Sequence, residues 1–281
     1  MTETEYRKIQ AVRNSGLGLV MQKSPAHYLH DLRKPETTTE ATSFGSYVHA
    51  LILTPEICDK EYFVMDEALR PQPLKNYTDA TNRAWKAGIE SYCKVHGLAL
   101  VTMDDHKRAC ACRDAITRHG LANEMVNSSV GVHERLVQWT NKETGVLCKA
   151  RIDRTRNQGK IVDLKTSKDA SARAFIRSIM DYGYHRQGAF YMDGSLGKKF
   201  SFIVVESQPP HGVQVYDLSE EFLELGRASY QGALKHIKIC RDKYGSEFDE
   251  TTVWPAYDYF YELGEVLSPP AWAQKHDFNE S

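Results

Sequence analysis

The chain has 281 residues, 41% hydrophobic and 26% charged, which suits a folded protein with one sizeable core. With 36 Lys and Arg against 37 Asp and Glu, its net charge of −1 argues against a protein that coats nucleic acid by overall attraction. Residues 1–8 are polar and lack a signal segment, and the densest apolar run near them, 50–53, is far too short for a bilayer, so a cytoplasmic protein away from membranes is expected.

Residues 9–33 carry helical periodicity with one interruption at Ser24-Pro25, where Ser suits the N-cap and Pro the first turn of a new helix. The stretch 34–43, rich in Thr and Glu, is expected as a loop. Residues 44–53 predict a helix on which Gly45 and His49 lie one turn apart, so that glycine admits close approach where histidine projects. Residues 58–79, with Pro71 and Pro73, read as irregular with room for a short strand. Two scaffold helices follow: 81–96, stopped by Gly97, and 104–119, with Thr102 as N-cap, Asp105 completing a capping box and Gly120 as the stop. The six cysteines include no C-x-x-C pair, and Cys110 and Cys112 face apart on their helix, so reduced thiols without a zinc or iron–sulfur site are expected.

The centre of the chain predicts a three-strand meander, 131–140, 146–156 and 160–166. Its second turn is Asn157-Gln158-Gly159, with Gly in the left-handed position of a three-residue hairpin loop. A turn centred on Gln158 puts Asp153 opposite Asp163, with Cβ atoms roughly 4.5–5.5 Å apart. Two carboxylates so placed repel, and a divalent cation converts that repulsion into binding; Mg²⁺ takes oxygen ligands at about 2.0–2.1 Å. Lys165 shares the face of Asp163, while Leu164 points into the core. An ammonium there is placed to orient or deprotonate a metal-bound water beside a phosphodiester. Glu134, in the first strand, is a candidate third acid or an exposed strand residue.

After the meander come a helix over 170–181 ending at Gly183 and another over 184–192, on which Gln187 and Tyr191 share a face. Residues 199–206 are the clearest buried strand, partnered by 212–217 across Pro209-Pro210-His211-Gly212. A long amphipathic helix, 219–244, is capped by Ser219 with Glu220 and Glu221 in its first turn. The remainder is loop-like, and one domain is expected over 1–281, with its core at about 9–257 and a peripheral tail at 258–281. Charge is unevenly spread: from Lys142 to Arg186 there are eleven Lys and Arg to five acids, and from Asp217 onward thirteen acids to six bases. That pattern fits a local phosphate-binding channel on a body that is otherwise neutral or repelling.

In order, Gly45-x-x-x-His49, Glu134, Ile152-Asp153, Asp163-Leu164-Lys165 and Gln187-x-x-x-Tyr191 resemble the motifs of RecB-type PD-(D/E)XK nucleases. Ser24-Pro-Ala-His-Tyr28 and His49-Ala-Leu-Ile-Leu-Thr-Pro-Glu56 resemble in particular the RecE (exonuclease VIII) branch of phage and prophage recombination exonucleases. The resemblance implies an α/β fold with a restriction-endonuclease-like core, a central mixed β-sheet flanked by helices. It implies Asp153, Asp163, His49 and the Leu164 carbonyl as metal ligands, Lys165 as the catalytic lysine and Glu134 as a further acid. Gln187, Tyr191, Arg151 and Arg186 would contact DNA, and Ser24 a terminal 5′-phosphate. The second acid is Asp where many relatives carry Glu, and the four-cysteine cluster of iron–sulfur relatives is absent. The activity implied is a Mg²⁺-dependent exonuclease, with Mn²⁺ as substitute, that degrades the 5′-ended strand of linear double-stranded DNA. It would leave 3′ overhangs for a RecT-like annealing partner and act as a ring-shaped homo-oligomer. No G-x-x-x-x-G-K-[ST] phosphate loop is present, which fits hydrolysis without ATP. A structure-selective endonuclease or repair nuclease on the same metal site, and a non-catalytic DNA-binding relative, are the alternatives.

Overall fold

A computed structural model describes residues 3–34, 44–66 and 79–257. In chain order its elements are α1 (Glu3–Lys8), α2 (Asn14–Gln22), α3 (Pro25–Leu32), α4 (Phe44–Leu53), α5 (Pro55–Glu61), β1 (Tyr62–Met65), α6 (Asp79–His96), β2 (Ala99–Thr102), α7 (Met103–Arg118), α8 (Gly120–Asn127), β3 (Val132–Thr140), β4 (Leu147–Arg156), β5 (Lys160–Ser167), α9 (Ala172–Asp181), α10 (Tyr184–Ser195), β6 (Lys199–Glu206), β7 (Val213–Asp217) and α11 (Glu220–Tyr244). Helix starts follow local chemistry: the hydroxyls of Ser24, Thr102, Ser171 and Ser219 accept the backbone N–H of His27, Asp105, Ala174 and Phe222. Each satisfies a donor that the first helical turn leaves unpaired.

The main sheet runs β3-β4-β5-β6-β7. All its pairs are antiparallel except β5 and β6, which run parallel because α9 and α10 carry the chain back across the sheet between them. Alternation along the strands builds two cores. Ile152, Ile161, Phe200, Phe202 and Val204 pack with Phe190 of α10 and with Leu234 and Ile237 of α11. On the other face Val162, Leu164, Ile203 and Val205 pack with Val48 of α4, Ile116 of α7 and Met125 of α8. The result is a mixed sheet flanked by helices, as the α/β expectation has it.

Three local expectations need correction. Residues 9–13 are not helical: Val12 lies alongside β4, its N–H donating to Leu147 O at 2.9 Å and its carbonyl accepting from Lys149 N at 2.8 Å. Residues 58–61 are not irregular but complete a helix that starts at Pro55, with Pro in the first turn where its missing N–H costs nothing. The short strand for which 58–79 left room is β1, and it pairs in parallel with β2, which was not expected. Gly120 does not stop α7 in a left-handed turn; it opens α8, where the His119 ring accepts the N–H of Ala122 at 3.2 Å. The expected loop at 35–43, most of the 58–79 stretch and the tail at 258–281 lie outside the described residues. All six cysteines are free thiols, and no described helix is long and apolar enough to cross a membrane.

Helices α10 and α11 cross closely because residue 226 has no side chain. A Cβ there would stand 2.2 Å from His185 O and 2.9 Å from the Ala189 Cβ. Gly226→Ala is therefore expected to cost about 1–3 kcal/mol, despite alanine's better helix propensity, because α10 must shift. Urea denaturation measures it against Gly88→Ala, where a Cβ meets nothing and the change is expected to be neutral or stabilising.

Candidate active site

Strands β4 and β5 pair only at Arg154↔Val162, Thr155↔Ile161 and Arg156↔Lys160, and then part. Their turn needs two left-handed residues, Gln158 (φ 60°) and Gly159 (φ 72°). Continued one step, the register sets Asp153 against Asp163 at the crotch of the fork. There the Asp153 Oδ2, not a backbone carbonyl, accepts the Leu164 N–H at 2.8 Å.

The parting has a visible cause in β4. Ile152 packs in the core beneath α10 and α11, yet Arg154, two residues on, donates to the carbonyls of Met125 (2.9 Å), Ser128 and Val130 (3.3 Å) at the end of α8. In an unbroken strand these two would share a face, so the alternation breaks at Asp153. Opposite it on β3, Glu134 has φ 49°, an uncommon conformation for a residue with a side chain. The space left beside the upper part of β4 is filled by Val12, and the N-terminal segment becomes one wall of the resulting cleft.

Helix α4 delivers His49 to the crotch, its Nδ1 3.4 Å from Asp153 Oδ2. The Leu164 backbone lies close enough to the ring to act on its titration. Burial holds the imidazole below its ordinary pKa, with Lys165 and Arg151 acting the same way and Asp153 and Leu164 opposing. His49 is thus a neutral ring with a lone pair to offer.

Asp163 is 1% exposed. Its Oδ1 accepts from Gln187 Nε2 at 2.8 Å, and its Oδ2 lies 2.6 Å from Lys165 Nζ. Burial raises the Asp163 carboxyl well above the carboxylate range; the Asp153 charge adds to this, and Lys165 and Gln187 oppose it. Burial pulls the Lys165 ammonium down, but Asp163 and Asp153 outweigh that and keep it protonated. The ammonium also sits 4.7 Å over the ring of Tyr184. On α10, Tyr184, Gln187 and Tyr191 form one face.

The other expected residues are more dispersed. Glu134 Oε2 is 2.8 Å from Arg151 Nε, and both line the cleft. Arg186 is 5% exposed; its Nε donates to Asn14 Oδ1 at 3.2 Å, and its guanidinium fills the space left by Gly18 and Gly183. Ser24 corrects the expectation made of it: it is fully buried, its Oγ is spent on His27, and it does not line the cleft. Tyr184, Asn14 and Tyr6, which line the cleft, escaped the sequence reading. The 184/187/191 spacing was a usable signal for Tyr184, whereas Tyr6 and Asn14 arrive only through the pairing of Val12 with β4.

The cleft has a volume of about 1120 Å³. Among the described residues no three His, Cys, Asp or Glu side chains form a ready-made metal cage. What the crotch offers is two carboxylates, one main-chain carbonyl and one neutral imidazole, with no thiol. That donor set fits a hard divalent cation, since Mg²⁺ commonly takes one or two carboxylates and keeps several waters.

The family described as "PDDEXK-like domain of unknown function (DUF3799)" matches residues 18–247. No curated protein matches the chain. Among solved structures, a presumed exonuclease from Eubacterium rectale is similar over 99% of this chain and 98% of its own, at TM-score 0.52 and 14% identity. A phage-related exonuclease from Haemophilus somnus 129PT aligns over 62% of this chain and 90% of its own, at TM-score 0.33 and 13% identity. An alkaline exonuclease from Laribacter hongkongensis aligns over 57% and 81%, at TM-score 0.27 and 12% identity.

Proposed function

Because the chain belongs to the family of PDDEXK-like domains of unknown function (DUF3799), we propose that the fork is a phosphodiesterase site and the protein a Mg²⁺-dependent, ATP-independent exonuclease acting on linear double-stranded DNA. The observation that carries this reading is the junction of Asp153, Asp163 and Lys165 at the fork, where Asp153, His49 and Gln187 line a cleft of about 1120 Å³ and Asp163 and Lys165 lie behind that lining. Asp153 accepts the Leu164 N–H and Asp163 accepts from Gln187, yet setting the two carboxylates face to face costs the apo fold repulsion and desolvation that a cation would offset.

Asp153, Asp163 and the Leu164 carbonyl would hold the cation, Mg²⁺ or Mn²⁺, with His49 completing the set. When bound, the cation lowers the pKa of a water and offsets charge on the phosphoryl oxygens. Lys165, protonated, steadies charge that develops on the phosphate and orients the attacking water rather than deprotonating it. Gln187 fixes the Asp163 carboxylate through Oδ1 and leaves Oδ2 turned to Lys165 and the crotch. Tyr184, Tyr191, Arg151 and Arg186 line the cleft as the surface against which DNA lies.

The finer reading is degradation of the 5′-ended strand, leaving 3′ overhangs for a RecT-like annealing protein, by a cytoplasmic ring-shaped homo-oligomer. Purified protein incubated with linear duplex labelled at either end tests it. The 5′ label should be released first, only with Mg²⁺ or Mn²⁺, and covalently closed circles should survive. Early loss of the 3′ label would reverse the polarity, and nicking of closed circles would favour the endonuclease alternative.

A further inference from the structure

Helix α9 turns one face inward and leaves the other to solvent. Phe175 and Ile179 are buried, whereas Arg173, Ile176, Arg177 and Met180, spaced i, i+3, i+4 and i+7, share the outer side and are exposed. Just past the helix, Tyr182 is 66% exposed and, with Asp181, lines the mouth of the catalytic cleft. Its place is fixed from beneath: the Tyr182 N–H donates to Ser178 O at 3.0 Å, and its ring meets that of Tyr184 with centroids 5.6 Å apart. Tyr184 is the ring over which the Lys165 ammonium sits, so Tyr182 stands one aromatic side chain out from that lysine.

The charge on this face is uncompensated. Among the described residues neither Arg173 nor Arg177 has an ion-pair or hydrogen-bond partner. The acids at the two ends of the helix are engaged elsewhere: Asp169 accepts the Ser171 N–H at 2.8 Å, and Asp181 lines the cleft. Two free guanidiniums one turn apart suit phosphates of one strand, whose oxygens match the arginine fork. An exposed aromatic ring beside them offers a stacking surface that any base can use. We propose that Tyr182 is the stacking platform for the terminal base of the strand whose phosphate lies at the crotch, and that Arg177 and Arg173 bind the backbone of that strand along α9. Ile176 and Met180 give sugars an apolar surface between these contacts. A base stacked there is held away from its complement, so one strand of a duplex end enters the fork by itself. This inference rests on the nuclease reading for the identity of the polymer.

The test measures DNA binding in chelator, where cleavage does not interfere, with two probes. One is a linear duplex ending in thymine–thymine mismatches, and the other carries abasic residues in place of those thymines. Tyr182→Ala should weaken binding of the first probe by about 5–150-fold and leave the second unchanged, and Tyr182→Phe should bind both as the unaltered chain does. Arg173→Gln/Arg177→Gln should make the slope of log K on log salt shallower by about 1.4 for both probes, at roughly 0.7 per contact for single strands. Unchanged binding by Tyr182→Ala, a loss that persists on the abasic probe, or an unchanged slope in the arginine pair would overturn the proposal. So would a shift in sedimentation of Tyr182→Ala without DNA, which would assign the face to contact between copies of the chain. Cleavage by the unaltered chain with Mg²⁺ is scored separately: its absence defeats the nuclease reading, whereas intact cleavage with unchanged binding in the variants defeats only this one.

Discussion

Asp163→Asn is expected to lower kcat by about 10³-fold or more and to abolish the heat of Mn²⁺ binding. The amide keeps the shape of the carboxylate and its oxygen can still accept from Gln187, while its NH2 then faces the Lys165 ammonium, so the lysine side chain must swing away. What disappears is the charge that faces Asp153. The metal-free protein should respond to pH in a defined direction. Burial raises the Asp163 carboxyl, so it contributes stability that is complete in acid and is lost as pH rises from the ordinary carboxylate range through the raised value. Asparagine removes that decline. Denaturation in chelator across this range, alongside single-turnover cleavage, separates the two effects. Retention of cleavage within about tenfold would be incompatible with the role given to Asp163.

Lys165→Met is expected to reduce kcat by about 10²–10³-fold while leaving the Mg²⁺ midpoint nearly in place. Methionine keeps an unbranched side chain and removes the ammonium, together with its contact over the Tyr184 ring. Because Lys165 is the ion-pair partner of a buried carboxylate, its loss should also destabilise the apo protein, by up to about 3–5 kcal/mol. Proton uptake by Asp163 will recover part of that. Lys165→Arg should not restore the rate, since a planar fork cannot place a point charge 2.6 Å from Oδ2 without displacing Tyr184. A large rise in the Mg²⁺ midpoint with kcat intact would recast the lysine as a cation-site organiser only.

Much of this architecture was legible before any coordinates because its signals are local. The hydroxyl caps at Ser24, Thr102 and Ser219, the Asn157-Gln158-Gly159 turn and the apolar run of β6 each carry their reason within a few residues. The turn also set the register, so Asp153 and Asp163 were placed by arithmetic on neighbouring positions. Periodicity did not foresee that β4 changes face at Asp153, because nothing in Ile152-Asp153-Arg154 announces that the arginine will reach the carbonyls at the end of α8. The same limit hid the course of residues 9–13: Val12 is extended because β4 has an unpaired edge there, a fact about residues far along the chain. Ser24 shows the converse, in that a strong capping signal was correct and left no hydroxyl over for a ligand.

The bond from Lys149 to the carbonyl of Ile9 joins residues 140 positions apart. During synthesis, residues 9–12 must therefore wait for about 140 further residues before they meet the strand that orders them. Until then one rim of the catalytic groove does not exist, so a truncated translation product lacking β4 has neither the acid at 153 nor the edge that its own beginning is meant to cover. The cleft wall and the fork are in this way completed together, once β4 has been made.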